Sequence, residues 1–270
     1  MSSKNKLIQL YKEYITTHSN IFDIKNGIRI LSYNVQLFLD INGNSSFDKL
    51  EKLITDSNAD VVLLYEAVNG KHKLEEIIKN KYKYVKYCNN YGINILLSKY
   101  PIDSCSVLRL SKDPVKKMNR YAIISNINVN NNIVKLAMCH LDVFDDTEET
   151  RLVQIKEILQ KIDNEYIILG DLNSLRKADY NKDEWEYLVK DCEERKTKAH
   201  TLVTDYIESN GYTDAWQLIK KACPKITVWS MRRVDYIYIG KNFKYTINNC
   251  NLQFTDTSDH FPLYIDLKIN

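Results

Sequence analysis

The sequence predicts an α/β fold in which two β-sheets pack against each other and helices cover their outer faces. Two observations support this prediction. Apolar, β-rich runs form two sets along the chain, and amphipathic helical segments are inserted between them. No segment rich in Pro, Gly or Ser divides the 270 residues, and a chain of this length can bury one large core. We therefore expect the two sets of strands to share one domain.

The first predicted element is a helix over residues 4–17, where apolar and aromatic residues recur at helical spacing. This stripe could dock a partner, although packing on the helix's own domain is the more common use of such a surface. Further helices are predicted at 46–55 and 71–80. Strands are predicted at 60–65, 82–88, 93–98, 102–109, 121–129 and 133–141.

Asp146 and Glu149 have the spacing of a capping box, which predicts the start of another helix just beyond His140. The apolar face of this helix consists of Leu152, Ile155, Leu159 and Ile162. The remaining predicted elements are helices at 182–195, 200–209 and 213–221 and strands at 233–239, 245–255 and 261–268.

Six short polar motifs, each at the end of an apolar run, are the most informative feature of the chain. They are Ser-Tyr-Asn at 32–34, Tyr-Glu at 65–66, His-Leu-Asp at 140–142, Gly-Asp-Leu-Asn at 170–173, Arg-Val-Asp at 233–235 and Ser-Asp-His at 258–260. Polar groups at strand ends can converge on one cleft without being buried inside the core. Any one motif alone is better explained as a turn, but six together favour a site.

The chemistry of these motifs suits phosphoester cleavage. Carboxylate and amide oxygens bind hard divalent cations, and here they alternate along the chain with two imidazoles. Taken singly, His140 could be a core histidine, and Asp235 could form a salt bridge with Arg232 or Arg233. The candidate site residues are Asn34, Glu66, His140, Asp171, Asn173, Asp235, Asp259 and His260.

The composition is that of an ordinary globular enzyme, with 44% hydrophobic residues, 27% charged residues and a net charge of +3. The six cysteines contain no CxxC pair, so reduced core thiols are expected. No apolar run reaches the roughly 18 residues of a membrane span, and the N-terminus does not resemble a signal peptide. We expect a soluble, monomeric, intracellular protein, cytoplasmic or nuclear.

Basic residues form four local clusters although the net charge is small. Such clusters are more often solvated faces than phosphate-binding strips, and the sequence does not say whether they align. They are Lys79, Lys81, Lys83 and Lys86; Lys112, Lys116, Lys117 and Arg120; Arg195, Lys196 and Lys198; and Arg232 with Arg233.

As an ordered set, the motifs resemble those of the endonuclease/exonuclease/phosphatase superfamily, the DNase I-like metal-dependent phosphoesterases. The likeness covers about residues 28–268, and segments 97–102 and 140–154 resemble the family as well. It implies a four-layered α/β sandwich of two packed mixed sheets flanked by helices. Residues 1–26 would be an N-terminal helical extension and residues 27–270 the catalytic domain.

The resemblance also implies a metal site and a role for each residue around it. Glu66, with Asn34 and Asp259, would hold Mg²⁺ or Mn²⁺ against the scissile phosphate and neutralise the charge that grows there. Asp171 would orient or deprotonate the attacking water. Asn173 would donate a hydrogen bond to a phosphoryl oxygen.

The two histidines would handle protons and phosphate charge. His260, oriented by Asp235, would transfer a proton or stabilise the phosphorane, and His140 would donate to the phosphate or assist the leaving group. Two departures from the family affect their surroundings. Tyr65 replaces the glutamine common before the metal-binding glutamate, and the segment ending at Asn94 lacks the acidic residue that supports the first histidine in some relatives. The partner of His140 is therefore open.

Several substrate classes are compatible with these motifs. The His-Leu motif is typical of the DNase I, sphingomyelinase, tyrosyl-DNA phosphodiesterase, deadenylase and inositol-phosphatase branches, and the Gly-Asp-Leu-Asn-Ser-Leu-Arg segment looks most like the tyrosyl-DNA phosphodiesterase side. We predict cleavage of nucleic-acid phosphodiesters. A lipid or small-molecule phosphodiesterase, sphingomyelinase-like or inositol-phosphatase-like, is the alternative and would have a closed pocket without a basic strip. An inactive binding module is disfavoured because no core motif residue is missing.

Overall fold

The computed structural model describes residues 3–18, 20–68, 74, 80–88 and 93–269. The strands of this part of the chain are β1 (Ile28–Asn34), β2 (Val61–Tyr65), β3 (Tyr84–Tyr87), β4 (Asn94–Ser98), β5 (Ile102–Arg109), β6 (Tyr121–Val129), β7 (Asn132–His140), β8 (Ile167–Asp171), β9 (Tyr212–Asp214), β10 (Asp235–Gly240), β11 (Thr246–Leu252) and β12 (Leu263–Lys268). The α-helices are α1 (Ser3–His18), α2 (Phe47–Ser57), α3 (Glu149–Leu159), α4 (Lys182–Glu194), α5 (Leu202–Ser209) and α6 (Ala215–Leu218).

The strands form two six-stranded mixed sheets. The first has the order β11-β12-β1-β2-β4-β3 and the second the order β5-β6-β7-β8-β10-β9. In each sheet the two central strands are parallel, β1 with β2 and β7 with β8, and the other neighbours are antiparallel. The carboxyl ends of each central pair therefore lie at the same edge of their sheet.

Three apolar clusters arrange the sheets and helices in four layers. Side chains alternate along each strand, so a central strand contributes to a different core on each of its faces. Leu63 and Leu169 belong to the core between the sheets. On the outer faces, Leu53 of α2 joins the core of the first sheet, and Ile155 of α3 packs in one cluster with Ile168 of the second sheet. The predicted four-layered α/β sandwich is confirmed.

The N-terminal helix α1 packs on the rest of the chain. Tyr11 is fully buried in the core between the sheets, and its ring stacks on Phe261 with centroids 4.6 Å apart. The apolar stripe of α1 is thus used inside the molecule, at the segment that leads into β12. The division of the chain between residues 26 and 27 stays a prediction.

Two predicted elements differ from the structure, and a third cannot be compared. Residues 213–221 were expected to be one helix, but a short strand, β9, precedes the single-turn helix α6, because its backbone pairs with the edge of β10. Helix α3 begins at Glu149, not at Asp146, because the Asp145 carboxylate accepts the hydrogen bond of the Thr150 amide instead. The helix predicted at 71–80 lies outside the described residues, apart from its positions 74 and 80.

The cysteines and the helices agree with two further expectations. All six cysteines are free thiols, and four of them are buried. No helix in the described part of the chain has the length and apolar character that a bilayer crossing requires.

Candidate active site

The strand-end residues of the motifs face the space between the two sheets. Leu169 of β8 belongs to the intersheet core, so Asp171, two residues further along, faces the same space. The same alternation applies to Asn34, His140 and Asp235 at the ends of β1, β7 and β10. Polar groups follow the apolar runs because the intersheet core ends at this level.

Strand register places these ends beside one another. Across the second sheet, Asp171 pairs with both His140 and Asp235. Gly170, which precedes Asp171, has φ +151°, and a Cβ atom there would lie 1.8 Å from the Cys139 carbonyl oxygen. Because backbone atoms cannot move out of the way cheaply, only glycine allows β7 and β8 to approach at this position. This explains the glycine of the Gly-Asp-Leu-Asn motif.

Asn34 joins the carboxylates of the two sheets. Its Nδ2 atom donates to Glu66 Oε1 and to Asp171 Oδ2, both at 3.2 Å, and its Oδ1 atom accepts from the Gln36 amide at 3.1 Å. Glu66 has a left-handed backbone, with φ +54°, which costs on the order of 1 kcal/mol or more and is common at functional sites. Asn34 therefore orients two acidic groups that would otherwise repel each other.

His260 and Asp235 form a buried dyad that spans the two sheets. Nδ1 of His260 lies 2.9 Å from Asp235 Oδ2. Burial alone would lower the pKa of His260, but the Asp235 carboxylate raises this pKa well above its ordinary value. The buried Thr227 holds the backbone beside each partner, since its hydroxyl oxygen accepts from the Asp235 amide and its carbonyl oxygen accepts from the amide of Phe261, the residue after His260. The dyad can orient the imidazole and hold its proton.

Neither alternative salt bridge of Asp235 is formed. Arg233 is fully buried and donates to Asp179 at 2.9 Å and to Asp214 at 2.5 Å. Arg232 donates to Asp191 at 3.1 Å. The arginines that flank Asp235 in sequence are therefore engaged elsewhere, and Asp235 is left to His260.

Negative charge accumulates around Asp171. Its carboxylate is buried, and burial together with the charges of Asp235 and Glu66 raises its pKa to about 7. His260 Nε2 lies 3.7 Å from Asp171 Oδ2. Ligand atoms of Asp171, Asp235 and His260 all lie within 4.8 Å of one another. An excess of carboxylates in a buried place is the situation that a bound cation relieves.

The partner of His140 is an arginine. Nη1 of Arg120 lies 3.2 Å from Nδ1 and 3.3 Å from Nε2 of the imidazole. Burial and this positive neighbour hold the pKa of His140 well below its ordinary value, so the ring is neutral. Nε2 also lies 3.5 Å from Asp171 Oδ2. Asn94, which ends the segment where some relatives have a supporting acidic residue, donates its side-chain N–H to the Tyr121 carbonyl.

Asn173 and Asp259 complete the predicted set. The Asn173 amide N–H donates to Asp171 at 3.0 Å, and its side chain donates to the Leu141 carbonyl at 3.2 Å. Burial, with a smaller contribution from the Glu66 charge, raises the pKa of Asp259. Asp259 Oδ1 lies 3.9 Å from His260 Nε2. The structure thus gathers all eight candidate residues at one end of the intersheet space.

Two residues of the site were missed in the sequence. Arg120 was recognised only as part of a basic cluster, because its proximity to His140 depends on the register of β6 against β7. Thr227 has no signal in the sequence, since its role rests on backbone hydrogen bonds across loops. Arg120 contacts His140, and Thr227 holds the backbone beside the His260 and Asp235 dyad, yet neither residue belongs to a polar motif.

A cleft of about 360 Å³ opens above these groups. Its lining combines the acidic and imidazole groups with apolar side chains, among them Val143 and Trp229, and with the exposed Lys198. Val143 is itself 49% exposed, so the cleft reaches the molecular surface. The arrangement can hold a phosphodiester with a cation on its acidic side.

Tyr65 ties the two sheets together behind the site. Its hydroxyl donates to the Leu169 carbonyl at 2.9 Å and accepts from Ser32 at 3.2 Å. We expect Tyr65→Phe to lower the free energy of unfolding by about 1 to 2 kcal/mol, because a buried carbonyl and hydroxyl lose their partner. Urea denaturation would measure this loss, and Tyr82→Phe, which removes a buried bond to the Ala59 carbonyl, is the matched control. A change in metal requirement in Tyr65→Phe alone would show that Tyr65 acts on the metal site.

The fold and the site define a protein of the DNase I-like α/β class. The chain belongs to the Endonuclease/Exonuclease/phosphatase family, whose sequence pattern matches residues 31–260. Members of this family are hydrolases that act on phosphoesters. The resemblance inferred from the motifs is therefore confirmed. Comparison with curated proteins gives no match.

Solved structures with the same fold include three informative ones. An endonuclease/exonuclease/phosphatase from Beutenbergia cavernae superposes with a TM-score of 0.68 at 16% identity, over 90% of this chain and 72% of that one. The human Nocturnin catalytic domain with bound sulfate gives 0.66 at 15% identity, over 94% and 98%. D. rerio TDP2 complexed with a single-strand DNA product gives 0.66 at 18% identity, over 90% and 99%. At these identities the likeness concerns the fold.

Proposed function

We propose that this protein is a divalent-metal-dependent phosphodiester hydrolase that acts on nucleic acid. The observation that carries the proposal is the dyad of His260 and Asp235 beside the buried Asp171, at the floor of a cleft that reaches the surface. A protonated imidazole next to a carboxylate with a raised pKa provides the acid and base groups that hydrolysis by an activated water requires.

The donor set fits Mg²⁺ or Mn²⁺. Glu66 and Asp259 offer carboxylate oxygens, and Asn34 would add its Oδ1 atom, which here accepts from the Gln36 amide while Nδ2 donates to Glu66 and Asp171. No cysteine lines the cleft, so the site lacks the soft ligands typical of structural zinc. When bound, the ion would polarise the phosphoryl oxygens and neutralise charge as it develops.

The protein's own groups would perform the remaining chemistry. Asp171, held by the Asn173 amide and by Asn34, would orient the attacking water and accept its proton. His260 would carry positive charge beside the phosphoryl group, since Asp235 stabilises its protonated form. The neutral His140, backed by Arg120, would donate a hydrogen bond to the phosphate or assist the leaving group.

The shape of the cleft favours an extended substrate over a lipid or inositol phosphate. A closed pocket was expected for the small-molecule alternative, whereas this cleft reaches the surface and includes Lys198 and Trp229. Cationic and aromatic side chains together are suited to phosphates and bases. The similarity in fold to D. rerio TDP2, which was solved with a single-strand DNA product, agrees with this choice.

A substrate panel tests the proposed function. The purified protein would be incubated with Mg²⁺ or Mn²⁺ and single-stranded DNA, duplex DNA, RNA, 5'-phosphotyrosyl DNA, sphingomyelin and inositol phosphates. Release of nucleotide products that disappears in Asp171→Asn would support the proposal. Hydrolysis confined to sphingomyelin or inositol phosphates would replace it with the alternative.

Removal of metal is expected to abolish hydrolysis. Glu66→Gln should raise the metal concentration needed for half-maximal activity by at least about 10-fold, because the loss of even an indirect partner of a bound metal weakens metal affinity by this factor. Titration of chelated protein with Mg²⁺ measures both effects. Glu13→Gln, which changes an exposed carboxylate on α1, is the control. Undiminished hydrolysis after exhaustive chelation would exclude the metal mechanism.

A further inference from the structure

The hairpin that joins β5 to β6, residues 110–120, leaves the second sheet at the edge where the candidate site lies. Arg109 at the end of β5 pairs with Tyr121 at the start of β6, and Ala122 pairs with Cys139, next to His140. Arg120, the last hairpin residue, contacts the His140 ring. The hairpin therefore flanks the site on its His140 side.

Hydrogen bonds hold this hairpin in one shape. The buried Asp113 carboxylate accepts from the backbone amides of Val115 at 2.9 Å and Met118 at 3.1 Å. It also accepts from the backbone amide of Lys116. At the base of the hairpin, the amide and hydroxyl of Ser111 donate to Glu157 of α3 at 2.9 and 2.5 Å. The hairpin is thus fixed to the helix layer and can present its side chains in a defined arrangement.

Three of the side chains that the hairpin presents to solvent are cationic, beside the exposed apolar side chains of Val115 and Met118. Lys112, Lys116 and Lys117 are exposed, and none of the three has an ion-pair partner within the described part of the chain. The Asp113 carboxylate faces the backbone amides of its own loop. Elsewhere in the chain, lysines such as Lys135 are paired with carboxylates. Positive charge is therefore left available beside the site.

We infer that the β5–β6 hairpin binds the phosphate backbone of a nucleic-acid strand that continues beyond the scissile bond on the His140 side. This inference rests on the proposed function and specifies its substrate as an extended strand. A small phosphodiester held at His140 has a single phosphate, whereas a strand carries a phosphate at every nucleotide. Each phosphate contacted by a lysine releases a bound counterion, so binding gains strength at low salt.

The test compares binding of strands of different length. Lys112→Gln, Lys116→Gln and Lys117→Gln would be combined in the Asp171→Asn background, and affinities measured by fluorescence anisotropy for a dinucleotide and a single strand of about 12 nucleotides. The ratio of the affinity for the long strand to the affinity for the dinucleotide measures the gain with length. We expect the hairpin substitutions to lower this ratio by at least about 10-fold. The slope of log affinity against log salt should fall by about 2, as expected for three lost phosphate contacts.

Two control proteins make the result specific. Lys161→Gln, Lys241→Gln and Lys268→Gln remove the same charge from exposed positions at the opposite end of the molecule and should change neither quantity. The three Lys→Arg changes in the hairpin keep the charge and should preserve the length dependence. If the hairpin variant binds long strands like the opposite-end variant, the hairpin proposal is wrong while the proposed function stands. If the wild-type protein hydrolyses no nucleic acid in the substrate panel, the proposed function fails first.

Discussion

Replacing Asp171 by asparagine is expected to lower turnover on a phosphodiester substrate by at least about 100-fold, the low end for the loss of acid-base assistance. The substitution keeps the size of the side chain but removes the negative charge that orients and deprotonates water. The fold should survive, since asparagine can still accept the hydrogen bond of the Asn173 amide. Initial rates with saturating Mg²⁺ would measure the effect.

A surface carboxylate serves as the control for Asp171. Asp205→Asn makes the same chemical change at an exposed position of α5 and should leave turnover within about twofold, as expected away from a site. If Asp171→Asn turns over at the wild-type rate with an unchanged circular dichroism spectrum, Asp171 is only a turn residue at the end of β8.

The same variant has a pH signature in the metal-free protein. The pKa of Asp171 is raised from 3.8 to about 7 by burial and by Asp235, so the folded state holds this proton more tightly than the unfolded chain. The free energy of unfolding should therefore fall as pH rises from about 4 to about 7. Urea denaturation across this window should give a shallower decline for Asp171→Asn. An identical decline in both proteins would show that Asp171 has no raised pKa.

The second large effect concerns the His260 and Asp235 dyad. If the carboxylate orients the imidazole and keeps it charged, Asp235→Ala, His260→Ala and the double variant should lose similar amounts of activity, each at least about 100-fold. Groups that act as one unit are strongly non-additive, so the double variant should be little worse than either single one. Single-turnover rates of the wild-type protein, the two single variants and the double variant provide this double-mutant cycle.

Losses that multiply would contradict the dyad. His260 would then act independently of Asp235, with Asp171 or Asp259 as its nearest carboxylates. Asp235→Asn provides the conservative comparison, because it keeps a hydrogen-bond acceptor but removes the charge that stabilises the imidazolium. It should fall between the wild-type protein and Asp235→Ala.

Much of the fold could be predicted from local pattern, because the central strands are apolar on both faces and end in polar motifs. The runs that became β2 and β7 were recognisable for this reason. The strand β9 was not, since three residues carry little pattern and its pairing with β10 depends on the folded sheet. The start of α3 was missed because two neighbouring aspartates both precede the helix and only their geometry separates them.

The candidate site could be predicted as a set of residues but not as a network. Six motifs at strand ends indicated which side chains converge. Which group contacts which depends on strand register: Asn34 proved to connect Glu66 with Asp171, and Arg120 proved to be the neighbour of His140. These contacts join residues far apart in sequence, and no local pattern encodes them.

The dyad crosses from one sheet to the other, so its geometry depends on the distance between the two sheets. His260 precedes a strand of the first sheet and Asp235 begins a strand of the second, so their 2.9 Å separation depends on how far apart the sheets are packed. Stacked sheets lie about 10 Å apart, and this spacing is set by the volumes of the side chains between them. Substitutions deep in that layer, such as at Leu63 or Leu169, can therefore tune the reaction without touching the substrate. For the proposed hydrolysis, apolar residues that no survey of polar motifs would select therefore help to set the geometry of the dyad.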